Sequence, residues 1–292
     1  MAAMNRREFL LASAGLALVA ACGGGDDGDD EVARVSTPDG RNGPGTTLNV
    51  VPVSYLHVAG IDQRLALGVL NDEGTGPMAL KGDIEVTIGG TPVEAAVHSG
   101  NGTPIPYLLV RHRFDAPGPV MAKVTMEGRA GEAAIDVKDP GGVQLPIPGR
   151  PMIATPSPTP ANTMGVDPIC TRKPACPLHD VSLDAALAEQ RPLAVLFSTP
   201  ALCQSQFCGP VLDNLLSQQA EFGDRARFLH VEIYADLSGT QNLAPTVKAY
   251  HLEEAGEPLL FLAGADGVVR DRIDNAFDRV EARAALEQLV AG

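Results

Sequence analysis

The chain has 292 residues, no tryptophan, 4% aromatic residues and a formal charge of −14. So acidic a body is a poor partner for nucleic acid or an anionic lipid surface, which excludes polyanion binding as its main work. Without large aromatic side chains the cores have to be built from Val, Leu, Ile and Ala. The length, less about 45 residues of signal and tether, predicts two modest domains.

The first residues read as an address. Asn5-Arg6-Arg7-Glu8-Phe9-Leu10 resembles a twin-arginine export signal, and the apolar segment behind it, Leu10 to Ala21, is too short to span a bilayer. Met4 is an alternative start. Val19-Ala20-Ala21-Cys22 resembles the lipobox of bacterial lipoproteins, which implies cleavage before Cys22 and diacylglycerol on its thiol. An ordinary secretory signal with an incidental cysteine is the alternative. Residues 1–21 are thus expected to be a signal peptide. The mature chain is expected at the outer face of the cytoplasmic membrane in the cell envelope, held by lipid. Residues 22–45 read as a flexible acidic tether; the carboxylates between Asp26 and Glu31 lack the alternating spacing and closing glutamate of an EF-hand loop.

Residues 46–139 carry a period of two. Apolar runs at Leu48–Val53, Leu65–Leu70, Ile84–Ile88, Val93–Val97, Ile105–Phe114, Val120–Met126 and Ala133–Val137 alternate with turn signals such as Gly89-Gly90 and Ala116-Pro117-Gly118. About seven strands at this spacing predict an all-β sandwich. Phe114-Asp115-Ala116-Pro117-Gly118 followed by Val120-Met121-Ala122-Lys123-Val124 resembles the late hairpin of bacterial immunoglobulin-like modules. His57, His98 and His112 are scattered singly and read as surface or packing residues, so this region is expected to be a spacer or a binding module. Residues 140–168 form a proline-rich linker, expected to be extended and fairly stiff. It is either a free linker or a segment lying along one of the domains, the second being favoured because Met152 and Ile153 need cover.

From 169 to 292 the periodicity changes. Ser182 caps a helix to Glu189, Leu193–Phe197 is a buried strand, and Pro210 starts a helix with Val211, Leu212, Leu215 and Leu216 on one face. A strand over Arg227–Tyr234 and a helix over Leu243–Leu252 follow. Leu259–Leu262 and Val268–Ile273 flank the hairpin signal Asp266-Gly267, and a last helix is capped by Asp278 with Glu281 three residues on.

Setting Cys22 aside leaves two cysteine pairs, Cys170/Cys176 and Cys203/Cys208, of five cysteines in all. An even number in an oxidising compartment favours two bridges, with three connectivities open. Cys203-Gln204-Ser205-Gln206-Phe207-Cys208-Gly209-Pro210 lies between a strand and a helix. Amides at a helix start favour a thiolate, and a second sulfur can resolve a mixed disulfide. With the element order helix, strand, helix, strand, helix, strand, strand, helix, the region from about Val181 resembles the thioredoxin superfamily, more narrowly its exported actinobacterial members. The resemblance implies thiol–disulfide exchange through Cys203 and Cys208, acting on exported protein thiols or disulfides with a separate redox partner. It also implies a cis-proline at Pro258, facing the dithiol. Departures are the four residues between the cysteines, where the family has two, and Leu202 in place of a tryptophan. Which cysteine attacks is left open.

Cys170-Thr171-Arg172-Lys173-Pro174-Ala175-Cys176 reads as a structural disulfide, with cross-pairing or a relay to Cys203/Cys208 as the alternative. Three rival functions stand beside exchange. Copper delivery in the manner of Sco-type proteins would pair the dithiol turn with His179, His230 or His251, although His230 is mid-strand and expected to pack there. A peroxidase reading rests on Thr199 before Cys203. A non-catalytic scaffold lipoprotein would carry two structural bridges and no cofactor.

Overall fold

The computed structural model describes residues 47–292, apart from Pro104 and Gln204. The expected signal peptide, tether and lipidated Cys22 lie outside the described residues.

Nine strands form two sheets between Asn49 and Lys138. One sheet runs β1 (Asn49–Pro52), β3 (Asp62–Leu70), β7 (Tyr107–Arg113), β6 (Ala96–His98); the other runs β2 (His57–Val58), β9 (Arg129–Lys138), β8 (Gly118–Met126), β4 (Ile84–Ile88), β5 (Thr91–Val93). All neighbours are antiparallel except β2 and β9. In β9 the alternation is strict: Ala133, Ile135 and Val137 are buried while Glu132, Ala134 and Asp136 are exposed. A two-residue turn at Glu127-Gly128, with φ of 51° and 74°, matches the twist of the hairpin it closes. Leu65, Leu67, Val86, Leu108, Val124 and Ile135 from both sheets share one core.

Two sequence expectations need correction here. Val93–Val97 is not one strand: β5 ends at Val93 and β6 starts at Ala96 in the opposite sheet. A crossover this short keeps the apolar run unbroken, so periodicity cannot see the change of sheet. The two-residue β2 is too short to leave a pattern at all.

The region after Pro168 is α/β. Its elements are α1 (Leu183–Ala188), β10 (Leu193–Ser198), α2 (Cys208–Phe222), β11 (Arg227–Glu232), α3 (Pro245–Ala249), β12 (Leu259–Ala263), β13 (Val269–Asp274) and α4 (Arg279–Ala291). The sheet order is β11-β10-β12-β13, with β10 parallel to β11 and β12 antiparallel to both its neighbours. All six residues of β10 are buried because both faces of the sheet are covered. Ala194 and Leu196 pack with Val211, Leu215 and Leu286; Val195 and Phe197 pack with Val247 and Tyr250. The helix expected over Leu243–Leu252 shrinks to Pro245–Ala249, because His251 turns left-handed at φ 53° and a short 3-10 turn, Leu252–Glu254, follows.

The proline-rich segment is built into this second region. Val143, Leu145, Ile147, Met152 and Val166 are buried in its core. Gly149 N and Met152 N donate to Val269 O and Gly267 O at 2.9 and 2.8 Å, and Val269 N donates to Arg150 O at 2.8 Å. These bonds occupy the otherwise open edge of β13.

The all-β and α/β regions belong to one compact unit. Arg64 of β3, 4% exposed, donates to both carboxylate oxygens of Glu281 at 2.5 and 3.0 Å and to Asp274 O at 2.9 Å. Tyr107 OH donates to the same carboxylate at 2.5 Å, and His98 Nδ1 lies 3.0 Å from Asp278 Oδ2. Asp278 caps α4 through Glu281 N at 2.8 Å, as expected, but the Glu281 side chain crosses to the β region instead of returning to the cap. The backbone amides of Tyr55 and Leu56 donate to Asp274 Oδ2, each at 3.2 Å. Burial works against the Asp274 charge, yet the Arg272 guanidinium beside it holds the carboxyl below its ordinary range.

Candidate functional site

The dithiol turn leaves the end of β10 and enters α2. Cys208 is the first residue of α2, fully buried, with Pro210 tolerated in the first turn, where an amide would have no helical acceptor. Cys203 is half-buried, and its Sγ accepts the Cys208 amide at 3.2 Å. The Ser205 hydroxyl lies 3.4 Å from the same sulfur and 3.4 Å from Glu257 O. The two thiols are held far apart in acidity. The Cys208 thiol and then Ser205 and two backbone amides draw the Cys203 pKa down to about 5, against burial. Burial, followed by the Cys203 thiol, pushes Cys208 up.

Glu257–Pro258 is cis, and Pro258 leads into β12 beside this turn. Tyr55, from the β region, closes the other side. Its hydroxyl donates to Glu257 O at 2.9 Å, and its ring lies 2.7 Å from where a Cβ on Gly256 would stand, so only glycine fits there. Burial, the main cause, raises the Tyr55 phenol above its ordinary range. A groove of about 740 Å³ runs from Val51 and Val53 past Ile105 to Ser205, Phe207 and Pro210. Tyr55 and this groove were not legible as site features, because Tyr55 and the far wall of the groove come from the β region, distant from the turn in the chain.

The other pair sits in a different environment. Cys170 and Cys176 are buried, and their sulfurs are 3.7 Å apart, not the ~2.05 Å of a disulfide. Two buried histidines join them. His179 Nε2 is 3.3 Å from Cys176 Sγ; His230 Nδ1 is 3.4 Å from Cys176 Sγ, 3.8 Å from Cys170 Sγ and 3.2 Å from His179 Nε2. The four donor atoms all lie within 4.8 Å of one another, and the cluster could hold a metal ion. His230 Nε2 lies 2.9 Å from Ser198 Oγ and 3.1 Å from Ser198 O; a proton on Nε2 would serve the carbonyl, which can only accept, and leave the Nδ1 lone pair facing the sulfurs. The thiols share a contact that pulls Cys170 down and pushes Cys176 up, and burial lowers the His179 pKa.

Around the cluster, Thr171 N donates to Glu232 Oε1 at 2.5 Å, and burial raises the Glu232 carboxyl. Ala201 N donates to Thr171 Oγ1 at 3.0 Å, and Arg172 pairs with Asp213 of α2 at 2.9 Å. The loop bearing Cys170 and Cys176 is therefore tied to the dithiol turn and its helix.

The structure thus takes His179 and His230 to Cys170 and Cys176, while His251 stays part-exposed beside Glu253. Cys203 and Cys208 belong to no ligand cluster of three or more among the described residues. The spacing Cys170-x5-Cys176-x2-His179 was the sequence signal for this cluster; the fourth donor needed β11 in place. Comparison with known protein families and with curated protein sequences returned no match for this chain.

Proposed function

We propose that the α/β region is a thioredoxin-like domain that carries out thiol–disulfide exchange through Cys203 and Cys208, in an envelope protein held by lipid on Cys22. The observation that carries this reading is the asymmetry of the pair: a half-buried sulfur at a helix-start amide, favoured as thiolate, beside a buried thiol held protonated. The sheet order β11-β10-β12-β13 and the position of Pro258 support it, and the β region, read as an immunoglobulin-like module, would supply Tyr55 and one wall of the groove.

In the reductive direction the Cys203 thiolate attacks one sulfur of a substrate disulfide, forming a mixed disulfide and releasing a substrate thiolate that takes a proton. Cys208 then loses its proton and attacks Cys203 Sγ. The second substrate sulfur leaves as a thiol, and the pair ends as a Cys203–Cys208 disulfide, two electrons having passed to the substrate. A dithiol partner restores it, and an oxidising partner would run the same steps backwards.

The test is to equilibrate the full chain in graded glutathione buffers, quench with an alkylating agent and map each cysteine by mass. Cys203 and Cys208 titrating together above about −300 mV is the expected result. Resistance of both to reduction until the protein unfolds would sink the reading and leave a scaffold lipoprotein with structural bridges. Peroxide consumption by the reduced chain would support the peroxidase alternative instead.

A second reading, Sco-type copper handling, loses its expected seat at the dithiol turn, where no imidazole joins the sulfurs in a cluster among the described residues. It attaches instead to Cys170, Cys176, His179 and His230, whose soft sulfurs suit Cu(I).

A further inference from the structure

We infer that Cys170, Cys176, His179 and His230 form a closed, tetrahedral zinc site that fixes the loop beneath the dithiol turn. This inference does not depend on the exchange reading. Its first support is geometric. Tetrahedral zinc with Zn–S near 2.3 Å and Zn–N near 2.0–2.1 Å sets donor-to-donor edges of about 3.8 Å for S–S, about 3.5–3.6 Å for S–N and about 3.3–3.4 Å for N–N. The observed edges are 3.7 Å for S–S, 3.3, 3.4 and 3.8 Å for three S–N edges, and 3.2 Å for N–N. A disulfide would shorten one edge to about half and leave the imidazoles with nothing to converge on.

The second support lies around the donors. The His230 ring is oriented by Ser198, whose hydroxyl and carbonyl oxygens lie 2.9 and 3.1 Å from Nε2, so that Nδ1 faces the cluster. The outer nitrogen of a metal-binding imidazole is commonly held in this way. Cys170 Sγ accepts the Cys176 amide at 3.2 Å, which suits a sulfur carrying charge. All four donors are buried, and four protein ligands leave no open position, so the site is structural and not catalytic.

Charge chooses the metal. Two thiolates cancel a divalent ion, and two neutral imidazoles add nothing, so a zinc site is neutral where it is buried. Cu(I) would leave one uncompensated negative charge in the same buried place. Loading exchanges the water ligands of the aqueous ion for two Zn–S and two Zn–N bonds, releases to solvent whatever protons the two sulfurs still carry, and transfers no electrons. The bound metal would keep Cys170 and Cys176 out of exchange with Cys203 and Cys208. It would also brace the turn through Ser198 O and through Thr171 Oγ1, which receives the Ala201 amide.

The experiment loads the reduced full chain with Zn2+, and separately with Co2+ as a spectroscopic probe, then measures metal per chain. One zinc per chain is expected, with the intense visible bands of tetrahedral Co2+ and near-ultraviolet thiolate-to-metal charge transfer. His230→Gln and Cys176→Ser should lose the metal. The double variant Cys203→Ser/Cys208→Ser should keep all of it. The wild-type Co2+ spectrum and the double variant decide independently of whether the buried variants fold. Failure of the reduced wild type to take up stoichiometric zinc overturns the inference, as does loss of uptake in the double variant. Equimolar Cu(I) displacing zinc overturns it in favour of the copper reading. A Cys170–Cys176 bridge that persists with zinc supplied overturns it in favour of a disulfide.

Discussion

Two cysteine pairs with nearly the same spacing, four and five residues between the sulfurs, meet opposite surroundings in this molecule. Cys203 and Cys208 straddle the start of a helix, one half-buried and one sealed, and no imidazole joins them in a ligand cluster among the described residues. Cys170 and Cys176 are both buried, converge with two imidazoles, and lie in a loop tied down on three sides. The difference teaches that spacing brings two sulfurs together, but their neighbours set the chemistry. On the proposed reading, asymmetric burial separates two thiols into attacker and resolver, whereas shared burial among extra donors makes a ligand set.

The widest break in that comparison comes from paired substitutions. Cys203→Ser should abolish exchange with a model disulfide while leaving the chain folded; near pH 5, where little of the thiolate contribution remains, it should change unfolding free energy by no more than about 0.5 kcal/mol. Cys170→Ser should spare the Cys203 reaction in the folded protein but cost on the order of 4 kcal/mol or more in zinc-replete buffer, through lost metal. Denaturant unfolding and turnover, measured on both variants, check this. Equal loss of activity and stability in both would erase the contrast.

Next in size is the lock between the regions that build the site. Arg64→Met leaves Glu281 buried without its guanidinium and should cost about 3–5 kcal/mol. Adding Glu281→Leu should recover much of that, since the uncompensated charge is removed. If the single variant unfolds in two transitions, the β and α/β regions are separable after all. Gly256→Ala should be milder, about 1–3 kcal/mol, because its Cβ drives into the Tyr55 ring. Exchange assays on that variant show whether Tyr55 helps hold substrate: an altered KM with unchanged kcat would say so.

The last test is titration. In the reduced protein Cys203 falls from an ordinary value of 9.0 to about 5. A depressed acid stabilises the fold above its unfolded pKa, and that contribution is lost as pH falls through the folded value. The reduced protein should therefore lose this part of its stability between about pH 9 and pH 5. Alkylation of Cys203 should show a midpoint near pH 5. A midpoint near that of a free thiol would remove the asymmetry on which the exchange reading stands.

Much of the fold was legible because the signals are local. Alternation in β9, the cap at Asp278 and the Asp266-Gly267 hairpin each depend on a few adjacent residues, and the order of elements after Pro168 followed from them. His230 shows where legibility stops. On β11 it reads as one more inward side chain, and only the parallel pairing with β10 sets it against Ser198 while the preceding loop brings the sulfurs to its other nitrogen.

By itself the sequence determined the division into an all-β and an α/β region, the acidic character, the two cysteine pairs and the placing of one pair at a helix start. Those follow from periodicity, charge and chain-local capping, which act over a few residues. The tertiary structure alone decided that Tyr55 closes over the dithiol, that Arg64 and Glu281 fasten the regions together, and that two histidines join Cys170 and Cys176. Each of these contacts spans either a region boundary or a strand crossing. It exists only because burying the apolar faces of three sheets brings distant polar groups into one dry interior, where they must find one another.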